Sequence, residues 1–210
     1  MCTNKARPMP GFLLCEKEVN MKLHSLIAMA ALSTSVFAHA EEASADKKDY
    51  GNVCTFNMEL KSKPIVKQQV LPLSEGSELY LRQITSKQNA RGAKLVSNIV
   101  CQHLTGQTYT GEPQEWAEFI DRAISGLLKA GFKDVNVTRF AGNELVYQGE
   151  LNNLEYQFTG EYKGQQQVIR NFAVLDKEEN ELITFSVSGD SSIQDKVNEE
   201  YKRLVGSFSL

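Results

Sequence analysis

Between residues 132 and 188 the chain falls into short runs of alternating apolar and polar side chains, separated by turn-forming residues, and this confines it to antiparallel β-structure. The runs are 132–140, 144–151, 154–162, 165–175 and 182–188. Along 154–162 the alternation puts Leu154, Tyr156, Phe158, Gly160 and Tyr162 on one face, and along 182–188 it aligns Ile183, Phe185 and Val187. Asn152-Asn153 suits the positive φ values of a tight hairpin, and Lys163-Gly164 turns the chain again. Parallel strands need long crossovers, and connections this short exclude them, which leaves a meander.

Two amphipathic helices flank this block. Over 113–130, Trp116, Phe119, Ile120, Ala123, Ile124, Leu127 and Leu128 recur at spacings of three and four. Pro113 suits a first helical position, Glu112, Glu115 and Glu118 favour the positive end of the macrodipole, and Gly131 provides a stop. After residue 192, Ile193, Val197, Tyr201, Leu204, Val205 and Phe208 fall on one side, with Ser192 and Asp195 spaced as a capping box. A sheet with an apolar face buries it under such helices, so the expected class is α+β, an antiparallel meander packed with two amphipathic helices. Upstream, 53–60 and 78–85 alternate like strands, 86–92 reads as a polar loop, and the β-branched residues of 93–104 favour a strand over a short helix.

Residues 21–40 set the compartment. A lysine, Lys22, precedes an apolar stretch too short to span a bilayer, and Ala38-His39-Ala40 followed by Glu41 has the small-x-small form of a signal cleavage site. Residues 1–20 make a poor export n-region. Lys17-Glu18-Val19-Asn20 can be encoded by a purine-rich ribosome-binding sequence, so translation is expected to start at Met21. The domain plan is then an untranslated 1–20, a signal peptide 21–40, a flexible 41–52 and a single globular α+β domain 53–210, working in the periplasm. The mature portion retains 19 of 23 basic and 24 of 26 acidic side chains, a net charge of −5. No basic stripe with interleaved aromatics is present, which argues against nucleic acid as a partner, and no further long apolar run suggests an integral membrane segment.

Two cysteines remain beyond the leader, Cys54 and Cys101. In an oxidising compartment they pair most simply as a structural disulfide, whose loop of 47 residues is worth about 4 kcal/mol at most in the loop-entropy picture. A redox-active pair is the alternative, but that chemistry usually sets its thiols close in sequence, as in Cys-x-x-Cys.

The helix, the meander and a final helix after Leu182-Ile183-Thr184-Phe185-Ser186-Val187, closing on Tyr201-Lys202-Arg203-Leu204-Val205-Gly206-Ser207-Phe208, resemble the PsbP-like superfamily. That group includes the extrinsic photosystem subunit and bacterial envelope proteins of the DcrB type. The resemblance spans 112–210. It implies an α/β sandwich acting as a scaffold or accessory binding module without catalysis, and it transfers no site residue.

Catalytic patterns are sparse. His103 is the single histidine beyond the leader, and the usual two-histidine and Cys-x-x-Cys metal spacings are missing, so neither a metal nor a cofactor is expected. Glu115, Glu118 and Asp121 share one side of the first helix and read as a solvated face. Residues 176–181 are rich in oxygen ligands but lack the glycine and register of a calcium loop, and read as a hairpin connection. Tyr147, Tyr156, Tyr162 and Phe172, with Arg170, are the candidate binding surface, although aromatics on a sheet more often lie in the core beneath a helix. Two functions follow. The first is a non-catalytic periplasmic binding or accessory protein for an envelope protein or small ligand. The second is a small hydrolase using His103 or the helix carboxylates.

Overall fold

The structure, a computed structural model, describes residues 51–73 and 76–210. The expected leader, its cleavage residues Ala38, Ala40 and Glu41, and the start at Met21 lie outside these residues. Seven antiparallel strands form one sheet: β1 (Ile65–Pro72), β2 (Glu78–Ala90), β3 (Ala93–Thr105), β4 (Phe132–Arg139), β5 (Asn152–Tyr162), β6 (Gln165–Asp176) and β7 (Glu181–Asp190). Their spatial order is β1-β2-β3-β7-β6-β5-β4. Helix α1 (Pro113–Lys129) links β3 to β4, and α2 (Gln194–Gly206) follows β7. The α+β expectation holds at this level.

Strand alternation gives the sheet two buried faces. On the first, Ile99, Cys101, Val168, Phe172, Val174, Ile183, Phe185 and Val187 pack against Val197, Tyr201, Leu204 and Val205 of α2. On the second, Tyr156, Phe158, Ile169, Ala173 and Leu182 pack against Phe119, Ile120 and Leu127 of α1. A fully buried phenylalanine or leucine contributes about 1.5–3 kcal/mol, so each helix is held by its apolar stripe. The hairpins β2–β3 and β5–β6 both close with two positive-φ residues, Arg91-Gly92 and Lys163-Gly164. That backbone matches the twist of the strands it joins.

Several local expectations are corrected. Residues 86–90 extend β2 instead of looping, because β3 supplies a partner as far as the pair Ala90 and Ala93. Residues 53–60 keep their alternation of burial but not a strand partner. Cys54 is buried, Phe56, Met58 and Leu60 are half-buried, and the segment pairs only where Asn57 bridges Ser209. Glu144 ends a 3-10 turn, Gly142–Glu144, residues 145–151 are irregular, and Asn152-Asn153 opens β5 instead of turning. The Ser192–Asp195 capping box does not form. Asp190 accepts from the Ser192 N–H at 2.9 Å, capping a 3-10 turn, Ser191–Ile193, that leads into α2. Strand β1 went unread because its side chains are nearly all exposed and carry no alternation.

Candidate functional site

The aromatics singled out in the sequence do not share a surface. Tyr156 is 2% exposed and lies on the α1 face, where burial pushes its hydroxyl pKa well above the ordinary tyrosine value. Tyr162 stacks on Phe132 on the same face, ring centroids 4.8 Å apart. Phe172 is fully buried on the opposite face. Arg170 is buried there too, between the rings of Phe140 and Tyr201 at 3.8 and 4.5 Å, and 3.6 Å from Glu155. Opposite side-chain directions on the pleat and the two covering helices account for this dispersal.

Tyr147 alone reaches a groove. Its ring sits 4.8 Å from Phe172 and 6.5 Å from Phe208, at the edge of an aromatic cluster that also holds Phe56 and Phe185. The irregular segment 145–151 stands where it does because the Val146 and Tyr147 N–H groups both donate to the buried carboxylate of Glu155, at 2.6 and 2.8 Å. Between this segment and the end of α2 lies an open cavity of about 460 Å³, lined by Val146, Tyr147, Gln148, Leu151, Val205 and Phe208 among others. That size falls in the range of small-ligand clefts, about 300–1,000 Å³. A second cavity, beside Tyr109, Trp116 and Arg122, is about 20 Å³, roughly one water's worth.

The disulfide joins Cys54 to Cys101, Cα atoms 5.8 Å apart, as the pairing expected from the sequence. Cys54 takes φ 61, a left-handed conformation that non-glycine residues adopt at a cost of about 1–3 kcal/mol. Beside the bond stands Glu181, 4% exposed. Its Oε1 accepts from the Cys54 N–H at 2.7 Å, and its Oε2 lies 3.6 Å from Cys101 Sγ. Burial raises its pKa, more than the Cys54 N–H and the nearby His103 lower it. His103 pairs across the strands with Glu181, its Nδ1 3.9 Å from Oε1 and 3.0 Å from the Glu179 carbonyl.

The other sequence candidates have local duties. Glu115 accepts from the N–H groups of Thr110 and Gly111 at 2.9 and 2.6 Å, and so organises the approach to α1. Glu118 lies 3.6 Å from Arg122 one turn on. Asp176 accepts from the Glu178 and Glu179 N–H groups and holds the hairpin turn. Glu181 was read as part of that charged loop. One signal marks it out: it is in phase with Ile183, Phe185 and Val187, the apolar face of β7.

Comparison of the chain with protein-family models, with characterised proteins and with solved structures finds no match.

Proposed function

We propose that the protein is a non-catalytic binding module of the cell envelope, one that takes a small, partly apolar ligand in the groove between residues 145–151 and the end of α2. The single observation that carries this reading is the groove itself, about 460 Å³ with Tyr147 and Phe208 in its wall. Aromatic walls supply apolar area with few rotatable bonds, so ordering them around a ligand costs little entropy. The PsbP-like α/β sandwich and its accessory role are consistent with a two-faced sheet whose helices leave a groove at the edge of a core. Export through a cleaved leader fits a chain in which Cys54 and Cys101 are bonded. No helix among the described residues is long and apolar enough to cross a membrane.

The test uses Gly206, which lines the groove, is exposed, and has open space where a side chain would stand. A Gly206→Trp substitution fills the mouth without entering the core. An anionic anilinonaphthalene dye should bind wild type with one site per chain, and the variant at least tenfold more weakly at unchanged unfolding midpoint. Equal dye binding by the two proteins rejects the groove.

A further inference from the structure

Four carboxylates are buried on the α2 face; two of them meet fixed cations, and Asp176 accepts two N–H groups of its turn. Glu155 lies 3.6 Å from Arg170 and accepts from the Tyr201 hydroxyl at 2.6 Å, while Glu200 meets Lys61 at 2.9 Å and Arg203 at 2.5 Å. Glu181 is different. Besides the Cys54 N–H, its neighbours include the half-buried His103, the sulfur of Cys101 and, across the β6–β7 pair, the like-charged Asp176. A disulfide sulfur has no proton to donate, so Oε2 faces an atom that cannot satisfy it, and burying an unsatisfied carboxylate oxygen is costly. A thiol, or a cation held between sulfur and oxygen, would complete the arrangement.

The geometry suits a cation. Cys54 Sγ, Cys101 Sγ and a Glu181 carboxylate oxygen all lie within 4.8 Å of one another; the two sulfurs are bonded to each other here and would part to about 3.8 Å on reduction to share a tetrahedral ion. Zinc bonds of about 2.3 Å to sulfur and 2.1 Å to oxygen place the two ligand atoms about 3.6 Å apart at the tetrahedral angle. The observed separation of Cys101 Sγ and Glu181 Oε2 is 3.6 Å. Two thiolates with one carboxylate form a soft, triply anionic set that favours a zinc-type ion over magnesium or calcium. The ligands come from three places, the irregular 53–60 segment, β3 and β7, so no compact sequence motif announces them.

We propose that before the bond between Cys54 and Cys101 is made, the dithiol form of the protein binds one zinc-type divalent cation through Cys54, Cys101 and Glu181, and that metal and disulfide are mutually exclusive. On binding, each thiol gives its proton to solvent as its metal–sulfur bond forms, and the carboxylate binds in its ionised state. Oxidation reverses this. An external disulfide accepts two electrons from the metal-bound thiolates and two protons from solvent, becoming two thiols, while the Cys54–Cys101 bond closes and the cation leaves. The site stands apart from the groove and does not depend on its ligand.

Cobalt(II) is the probe, added without air to the expected mature chain, residues 41–210, whose cysteines are Cys54 and Cys101, after reduction by a phosphine and removal of metal. Wild type should develop a thiolate-to-cobalt charge-transfer band that saturates at one equivalent, and the disulfide form should show none. Glu181→Gln keeps the acceptor for the Cys54 N–H but loses the charge, and should bind cobalt at least tenfold more weakly. Near-ultraviolet circular dichroism of the same samples reports whether the fold persists. A reduced wild type that shows no charge-transfer band, or that stays unfolded with cobalt present, overturns the proposal. So does a folded Glu181→Gln protein that binds as tightly as wild type.

Discussion

Tyr201 shows how a buried charge is made tolerable. Its hydroxyl donates to Glu155 Oε2 at 2.6 Å, and burial together with that bond raises the hydroxyl pKa far above the ordinary tyrosine value. The same carboxylate accepts the N–H groups of Val146 and Tyr147, so one glutamate ties α2, β5 and the groove segment together. A hydrogen bond to a charged group contributes about 1.5–3 kcal/mol, and its loss in a buried site leaves the partner unsatisfied. Tyr201→Phe removes only that oxygen and should cost about 2 kcal/mol in urea unfolding. It should also loosen 145–151, read as faster amide exchange at Val146 and Tyr147. A substitution within about 0.5 kcal/mol of wild type would mean that Arg170 alone neutralises Glu155.

At the scale of elements, the β4–β5 pair explains a glycine that alternation locates but does not account for. The β4–β5 register shifts between Lys133 and Asn136, and Asp134 takes φ 51. The displaced strand crosses close over Gly160, where an added Cβ would come within 2.9 Å of the Lys133 carbonyl oxygen. Backbone cannot swing aside as a side chain does, so Gly160→Val should cost about 1–3 kcal/mol of unfolding free energy, as overpacking does. Denaturant titration checks this, and an unchanged midpoint would show that β4 can slide. The apolar stripe of α1 and the strands β5, β6 and β7 were legible in the sequence because one period runs through each and burial follows it. The segment 145–151 misled because Leu145, Tyr147 and Leu151 alternate like a strand, while its N–H groups go to a side chain instead of a neighbouring strand. Strand β1 was invisible because it sits at the sheet edge with Ile65, Val66 and Val70 exposed. Of the named aromatics, Tyr156 and Phe172 lie in the core, while Tyr147 lines the groove. The groove needs the end of α2 to return beside a loop some sixty residues earlier, which no local spacing records.

For the molecule as a whole, the buried carboxylates set opposite responses to pH. Burial raises the Glu181 pKa, so its carboxyl favours the folded state below the ordinary glutamate value of about 4.3 and loses that contribution as pH rises through its raised value. For Glu200 burial is the largest single influence and acts upward, but Arg203, Lys61 and Gln88 together outweigh it and bring the pKa below the ordinary value. Its contribution is present above that value and is lost as pH falls through the lowered one. Asp190, bonded to Ser192, and Glu199, bonded to Lys196, shift in the same downward direction at the surface. Stability of the disulfide form should therefore peak in mild acid and decline on both sides, through different residues. In urea titrations across a pH series, Glu181→Gln should flatten the decline toward neutral pH and leave the acid side as it is. Glu200→Gln should be less stable than wild type at neutral pH, with the gap closing as pH falls, because the protonated wild-type carboxyl has then lost its ion pairs as well. A Glu181→Gln curve parallel to wild type from mild acid to neutrality would mean that solvent or His103 neutralises that carboxylate in the folded state, and that the strain ascribed to its place beside the sulfur is not there.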